Sequence, residues 1–194
     1  VKNPQEPLWN ILHYYIVGTS HNLQNESPFR TTQDTRLRDK LAEIIGTHPV
    51  VLIAEEVDAN EEHKQIIYGR NLAADHDPKI PWVSLDMTTP QLKNAGIWDE
   101  LEAAAHLTED ACRNRKNEIY HPVRANDMRE ACWLERIRVA CDAYKLTSGT
   151  VLITCGRMHL ESLADKASKC GIRNLVLEVP LGLKQTLGEI KLLP

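Results

Sequence analysis

Apolar residues along this chain fall alternately into short continuous runs and into helically spaced sets. His13-Tyr14-Tyr15-Ile16-Val17, Val50-Val51-Leu52-Ile53-Ala54 and Thr150-Val151-Leu152-Ile153-Thr154 are runs of strand length, rich in β-branched or aromatic residues. Such runs without polar alternation belong to strands covered on both faces, as parallel strands are. Pro81-Trp82-Val83-Ser84-Leu85 and the segment from Asn174 to Val179 are two further strand candidates. Between them, Leu37, Leu41, Ile44 and Ile45 have helical spacing within 34–45, with Asp34 placed to cap and Gly46 to stop. A weaker helix is expected over 62–75, and 91–122 reads as helical pieces broken near Gly96 and Pro122. The strongest helical pattern runs from Asp127 to about Tyr144, where Asp127-x-x-Glu130 has the form of a capping box. Leu160 to Lys169 follows as a helix stopped by Gly171. This alternation predicts an α/β fold: a mostly parallel central sheet flanked by helices, with any site at the strands' carboxyl ends.

A length of 194 residues is enough for one continuous core, so 1–194 is expected to be a single α/β domain. The formal charge of -4, with both signs interspersed, argues against a nucleic-acid partner and against a polybasic membrane contact. No stretch approaches the roughly 20 apolar residues that cross a bilayer. Residues 1–12 lack the pattern of a signal peptide, and a cytoplasmic location is the resulting expectation. The cysteines Cys112, Cys132, Cys141, Cys155 and Cys170 are odd in number and include no C-x-x-C pair, so they read as reduced and mostly buried.

Polar groups cluster immediately after the predicted strands: Gly18-Thr19-Ser20-His21, Glu55-Glu56, Asp86 and Gly156-Arg157-Met158-His159. A glycine directly after a strand lets the backbone reverse, and a residue three positions on then projects into the crevice. With 9 glycines and 8 histidines in the chain, about 0.4 Gly-x-x-His matches arise by chance; two, both after buried strands, carry weight. The plain alternatives are that His21 and His159 cap helices or bond loop carbonyls, that one glutamate is merely solvated, and that Asp86 is a loop or helix cap. Ser20 and Cys155 adjoin the motifs without forming a nucleophile elbow. The remaining histidines share no spacing.

The order Ile-Val-Gly-Thr-Ser-His, a strand ending in Glu-Glu, Met-Arg-Glu before a helix, and Ile-Thr-Cys-Gly-Arg-Met-His-Leu-Glu resembles the erythromycin esterase, ChaN, TraB and Tiki superfamily over about residues 13–178. The resemblance implies one site built from His21, Glu55 or Glu56, Arg129 and His159. The chain departs from the esterase branch in being far shorter and lacking large helical insertions, which argues against macrolide hydrolysis.

The function this implies is hydrolysis of an ester or amide bond in a small-molecule or peptide substrate, with water activated by a histidine and a carboxylate. A divalent metal held by His21, His159 and one of Glu55 and Glu56 is one version; a metal-free general base is the other. Arg129 would stabilise negative charge or hold an anionic group, its plain alternative being a helix-surface ion pair. A haem or tetrapyrrole carrier resembling ChaN, drawing on Trp9, Trp82, Trp98, Tyr14 and Tyr15, and a non-catalytic regulatory module are the alternatives.

Overall fold

A computed structural model describes residues 12–19, 31–58, 68–113, 122–179 and 191–192. Its centre is one sheet of β1 (Leu12–Thr19), β2 (Val50–Asp58), β3 (Trp82–Asp86), β4 (Gly149–Gly156), β5 (Arg173–Glu178) and β6 (Lys191–Leu192). The strand order is β3-β2-β4-β1-β5-β6. The first five strands are mutually parallel and β6 is antiparallel to β5. The described helices are α1 (Thr31–Thr47), α2 (Tyr68–Asp75), α3 (Thr89–Asn94), α4 (Trp98–Arg113), α5 (Val123–Tyr144) and α6 (Leu160–Lys169). The protein is thus an α/β fold, as the alternation of patterns predicts.

Successive side chains leave a strand on opposite faces, which is why the continuous apolar runs fill two cores. Tyr14, Ile16, Leu52, Ala54, Val151 and Ile153 pack with Trp133 and Ile137 of α5 and with Leu163, Ala164 and Ala167 of α6. On the other face, Tyr15, Val17, Ile53 and Leu152 pack with Leu37, Leu41 and Ile44 of α1 and with Ala73 of α2. A smaller cluster of Leu92, Ile97 and Ala125 joins α3, α4 and the start of α5. No described helix is long and apolar enough to cross a membrane.

Two elements differ instructively from expectation. β2 does not end at Ala54 but carries Glu55 and Glu56 inside the strand, where both are buried. α5 starts at Val123, directly after Pro122, so Asp127 and Glu130 lie inside the helix and form no capping box. Proline suits a helix start because the donor it lacks would have no partner there.

The two Gly-x-x-His strands lie side by side, with Gly18 opposite Cys155 and Thr19 opposite Gly156. Neither glycine makes the reversal expected of it. Gly156 is extended at φ -60 and ψ 140, and the described glycines with positive φ are Gly96, Gly149 and Gly171. Gly18 serves close approach instead: a Cβ there would stand 2.3 Å from Leu160 Cδ1 and 2.4 Å from its Cγ. The first motif therefore packs directly on the residue that follows His159. Gly18→Ala is expected to lower unfolding stability in urea by about 1–3 kcal/mol through overpacking, and a Gly18→Ala, Leu160→Ala double variant to cost less than the sum of its parts. Additive losses would show that the contact does not constrain the fold.

Candidate active site

The alternation of β2 separates its two glutamates. Glu55 follows Ile53 onto the α1–α2 face, where its carboxylate accepts from Gly69 N at 3.0 Å, Arg70 N at 2.8 Å, Trp82 Nε1 at 2.6 Å and Thr154 Oγ1 at 3.2 Å. It satisfies two orphan donors at the start of α2, and Gly69 is needed there because a Cβ would stand 2.6 Å from the carboxylate carbon. Burial raises the Glu55 carboxyl above the ordinary range, and these hydrogen bonds pull it partly back. Of the two candidates, Glu55 is thus committed to the far face of the sheet, away from Arg129 and His159, and it is not the solvated member of the pair that the sequence suggested.

Glu56 follows Ala54 onto the α5–α6 face. Its Oε2 accepts from Gly156 N at 2.6 Å and its Oε1 from Arg129 Nη2 at 2.6 Å. Arg129 is the hub of the cluster and no surface ion pair. It also grips Asp86, Nε to Oδ1 at 2.9 Å and Nη2 to Oδ2 at 2.8 Å. Asp86 is therefore more than a loop cap, and the cap of α3 is Thr88. Burial works against the charge of Arg129, but Glu56 and Asp86 outweigh burial and hold its proton more firmly than an ordinary arginine's. Among the described residues, its remaining nitrogen, Nη1, makes only long contacts, 3.5 Å to Asn126 Oδ1 and 3.5 Å to His159 Nε2. The guanidinium carbon sits 5.2 Å above the Trp133 ring, a cation–π distance.

His159 is 1% exposed. A 3-10 turn, Arg157–His159, delivers it from the end of β4, and Trp133 packs edge-on against its ring at 4.7 Å. Its Nδ1 is 2.7 Å from Glu130 Oε1, and its Nε2 is 3.6 Å from Glu56 Oε1. Glu130 Oε1 also accepts from Ser162 Oγ at 2.6 Å, and Oε2 accepts from Lys166 Nζ at 2.7 Å. Burial would raise the Glu130 carboxyl, but the bonds from His159, Lys166 and Ser162 prevail and hold it below the ordinary glutamate range.

Of the residues expected to form the site, the structure gathers Glu56, Arg129 and His159. His21 lies outside the described residues, two positions beyond the end of β1. Arg70 is exposed on the α2 face, against Trp82. Burial pushes the Cys155 thiol well up, which suits a packed strand residue and no nucleophile. Cys141 is also buried, whereas Cys132 is half-buried and Cys170 exposed, and the side chain of Cys112 lies outside the described residues. The aromatic residues suggested for a tetrapyrrole do not share a surface: Tyr14 and Tyr15 fill opposite cores, Trp82 donates to Glu55, and Trp98 stacks with Lys93. Trp9 lies outside the described residues.

Glu130, Asn126 and Lys166 belong to the cluster, and sequence reasoning did not assign them to it. A signal for Glu130 was present. The buried face of α5 is Ala125, Arg129, Glu130, Trp133, Ile137, Ala140 and Cys141, so two charged residues interrupt an otherwise apolar stripe.

Two outcomes follow from these contacts. Arg129→Met leaves the Glu56 and Asp86 carboxylates without their cation, and chemical denaturation should register a loss of about 3–5 kcal/mol; a loss under about 1 kcal/mol would mean the cluster behaves like a surface pair. Because the folded carboxyl of Glu130 lies below its ordinary value of 4.5, the stability it lends is complete above that pH and disappears as pH falls through the lowered value. The stability gap between the native chain and Glu130→Gln, measured by denaturation across an acid series, should therefore close below pH 4.5. A constant gap would contradict the ionised pairing.

Compared with family models, with curated proteins and with solved structures, the chain matches none of them.

Proposed function

We propose that this chain is a hydrolase that cleaves an ester or amide bond with a water activated at His159, on the site plan of the erythromycin esterase, ChaN, TraB and Tiki superfamily. The observation that carries the proposal is the imidazole held between Glu130 at Nδ1, 2.7 Å, and Arg129 at Nε2, 3.5 Å. An ionised carboxylate only accepts, so in this reading the hydrogen is on Nδ1 toward Glu130 at 2.7 Å, and Nε2, 3.6 Å from Glu56 Oε1, turns its lone pair to the guanidinium.

In this reading Nε2 takes a proton from water as the oxygen bonds to the substrate carbonyl carbon. The same proton then passes to the leaving alkoxide or amine as the C–O or C–N bond breaks. The oxyanion that forms between these steps is stabilised by Arg129 Nη1, the nitrogen of that guanidinium with only long contacts among the described residues. Glu56, anchored by Gly156 N–H, fixes the guanidinium in place. The resemblance adds His21 as a second imidazole, and the strand leading to it lies beside β4. The substrate class is a small molecule or peptide.

Among the described residues, the ligands expected for a divalent metal have other partners. Glu55 is engaged on the opposite face. Glu56 and His159 have the Arg129 cation beside them, and no three His, Cys, Asp or Glu side chains among the described residues are grouped to hold an ion. His21, the remaining expected ligand, lies outside the described residues, and the proposal is carried in its metal-free version.

Turnover of a panel of chromogenic esters and short peptides tests the reading. His159→Gln is expected to reduce kcat by about 10²–10⁴-fold with its circular dichroism unchanged, and a chelator to leave the native rate intact. Equal turnover in the variant, or none in the native chain across the panel, would remove the hydrolase reading and favour a regulatory module. Loss of activity on chelation would restore the metal-dependent version.

A further inference from the structure

We infer that Lys166 is a positioning residue for His159, acting through Glu130; the inference deepens the hydrolase reading, on which its catalytic consequence rests. The contacts form one line across the α5–α6 interface. Asp127, on the exposed side of α5, accepts from Lys166 Nζ at 2.6 Å. Lys166 donates to Glu130 Oε2 at 2.7 Å, and Glu130 Oε1 meets His159 Nδ1 at 2.7 Å. Only the outer end of the line is open: the Lys166 side chain is 24% exposed and that of Glu130 is 1%.

The two oxygens of Glu130 have separate tasks. Oε1 receives His159 and Ser162, whereas Oε2 has Lys166 as its donor. A buried carboxylate stripped of its cation and left with one oxygen unpaired costs several kcal/mol. It turns to recover a donor, and the bond to Nδ1 turns with it. Arg129 does not replace Lys166, because its Nε and Nη2 are committed to Asp86 and Glu56 and its Nη1 lies on the Nε2 side of His159, away from Nδ1 and Glu130. Lys166 therefore holds the carboxylate in the one orientation that keeps the hydrogen on Nδ1 and the Nε2 lone pair toward Arg129. A purely structural ion pair would lend stability without selecting a tautomer.

The experiment needs no substrate, so its outcome is separable from that of the hydrolase reading. The ring nitrogens of His159 are observed by long-range ¹H–¹⁵N correlation on the full chain, assigned by the signals missing from His159→Gln. The native chain and Lys166→Arg should show a single tautomer with hydrogen on Nδ1. Lys166→Met should lose that pattern, with an otherwise native amide spectrum, and should lower kcat by about tenfold with KM unchanged on any substrate the panel identifies. A native nitrogen pattern in Lys166→Met, or failure of Lys166→Arg to restore it, would overturn the inference. Should Lys166→Met fail to fold, Asp127→Asn removes only the outer anchor: mixing of the two tautomers supports the inference and an unchanged pattern refutes it.

Discussion

The guanidinium of Arg129 is the point on which this end of the sheet depends. It joins the carboxyl end of β2 through Glu56 to that of β3 through Asp86, and it borders His159 at the end of β4. Glu56 is buried and Asp86 partly so, and the cost of taking their charges out of water is offset by the fixed cation between them. Arginine supplies it in a planar fork that lysine would not reproduce. Arg136, two turns further along α5, holds the same edge from outside, donating to the carbonyls of Asp86 at 2.7 Å and Ser84 at 3.3 Å. α5 thus acts as a strut across the ends of the strands as well as a cover for the core.

The sheet's period of two explains how adjacent glutamates acquire unrelated tasks. Glu55 caps α2 and links it to β3 and β4 on one face; on the other, Glu56 meets Arg129 and the first N–H of the second Gly-x-x-His motif. A register slip of one residue in β2 would exchange them and leave two buried charges without partners. Their opposite placement therefore also pins the register of the central strands.

The amino-acid sequence by itself determined the kinds of element and which residues stand at their ends. Runs such as Val50 to Ala54 and spacings such as Leu37, Leu41 and Ile44 report burial and period, which are local quantities. That information sufficed for the α/β class, for the helix from Leu160 to Lys169, and for placing Asp86 and His159 at strand ends, whereas Glu56 lies inside β2.

Partnership was decided only by tertiary structure. Glu56 and the Gly156 N–H lie 100 residues apart, and Arg129 and Asp86 lie 43 apart. They meet because β4 inserts between β1 and β2 and α5 crosses the end of β3. No local pattern encodes such an insertion, since it depends on how the crossovers stack. For the same reason Glu130, which has the spacing of a helix cap, became the partner of His159: a helix start one turn earlier rotated its side chain from a helix end into the interface with α6.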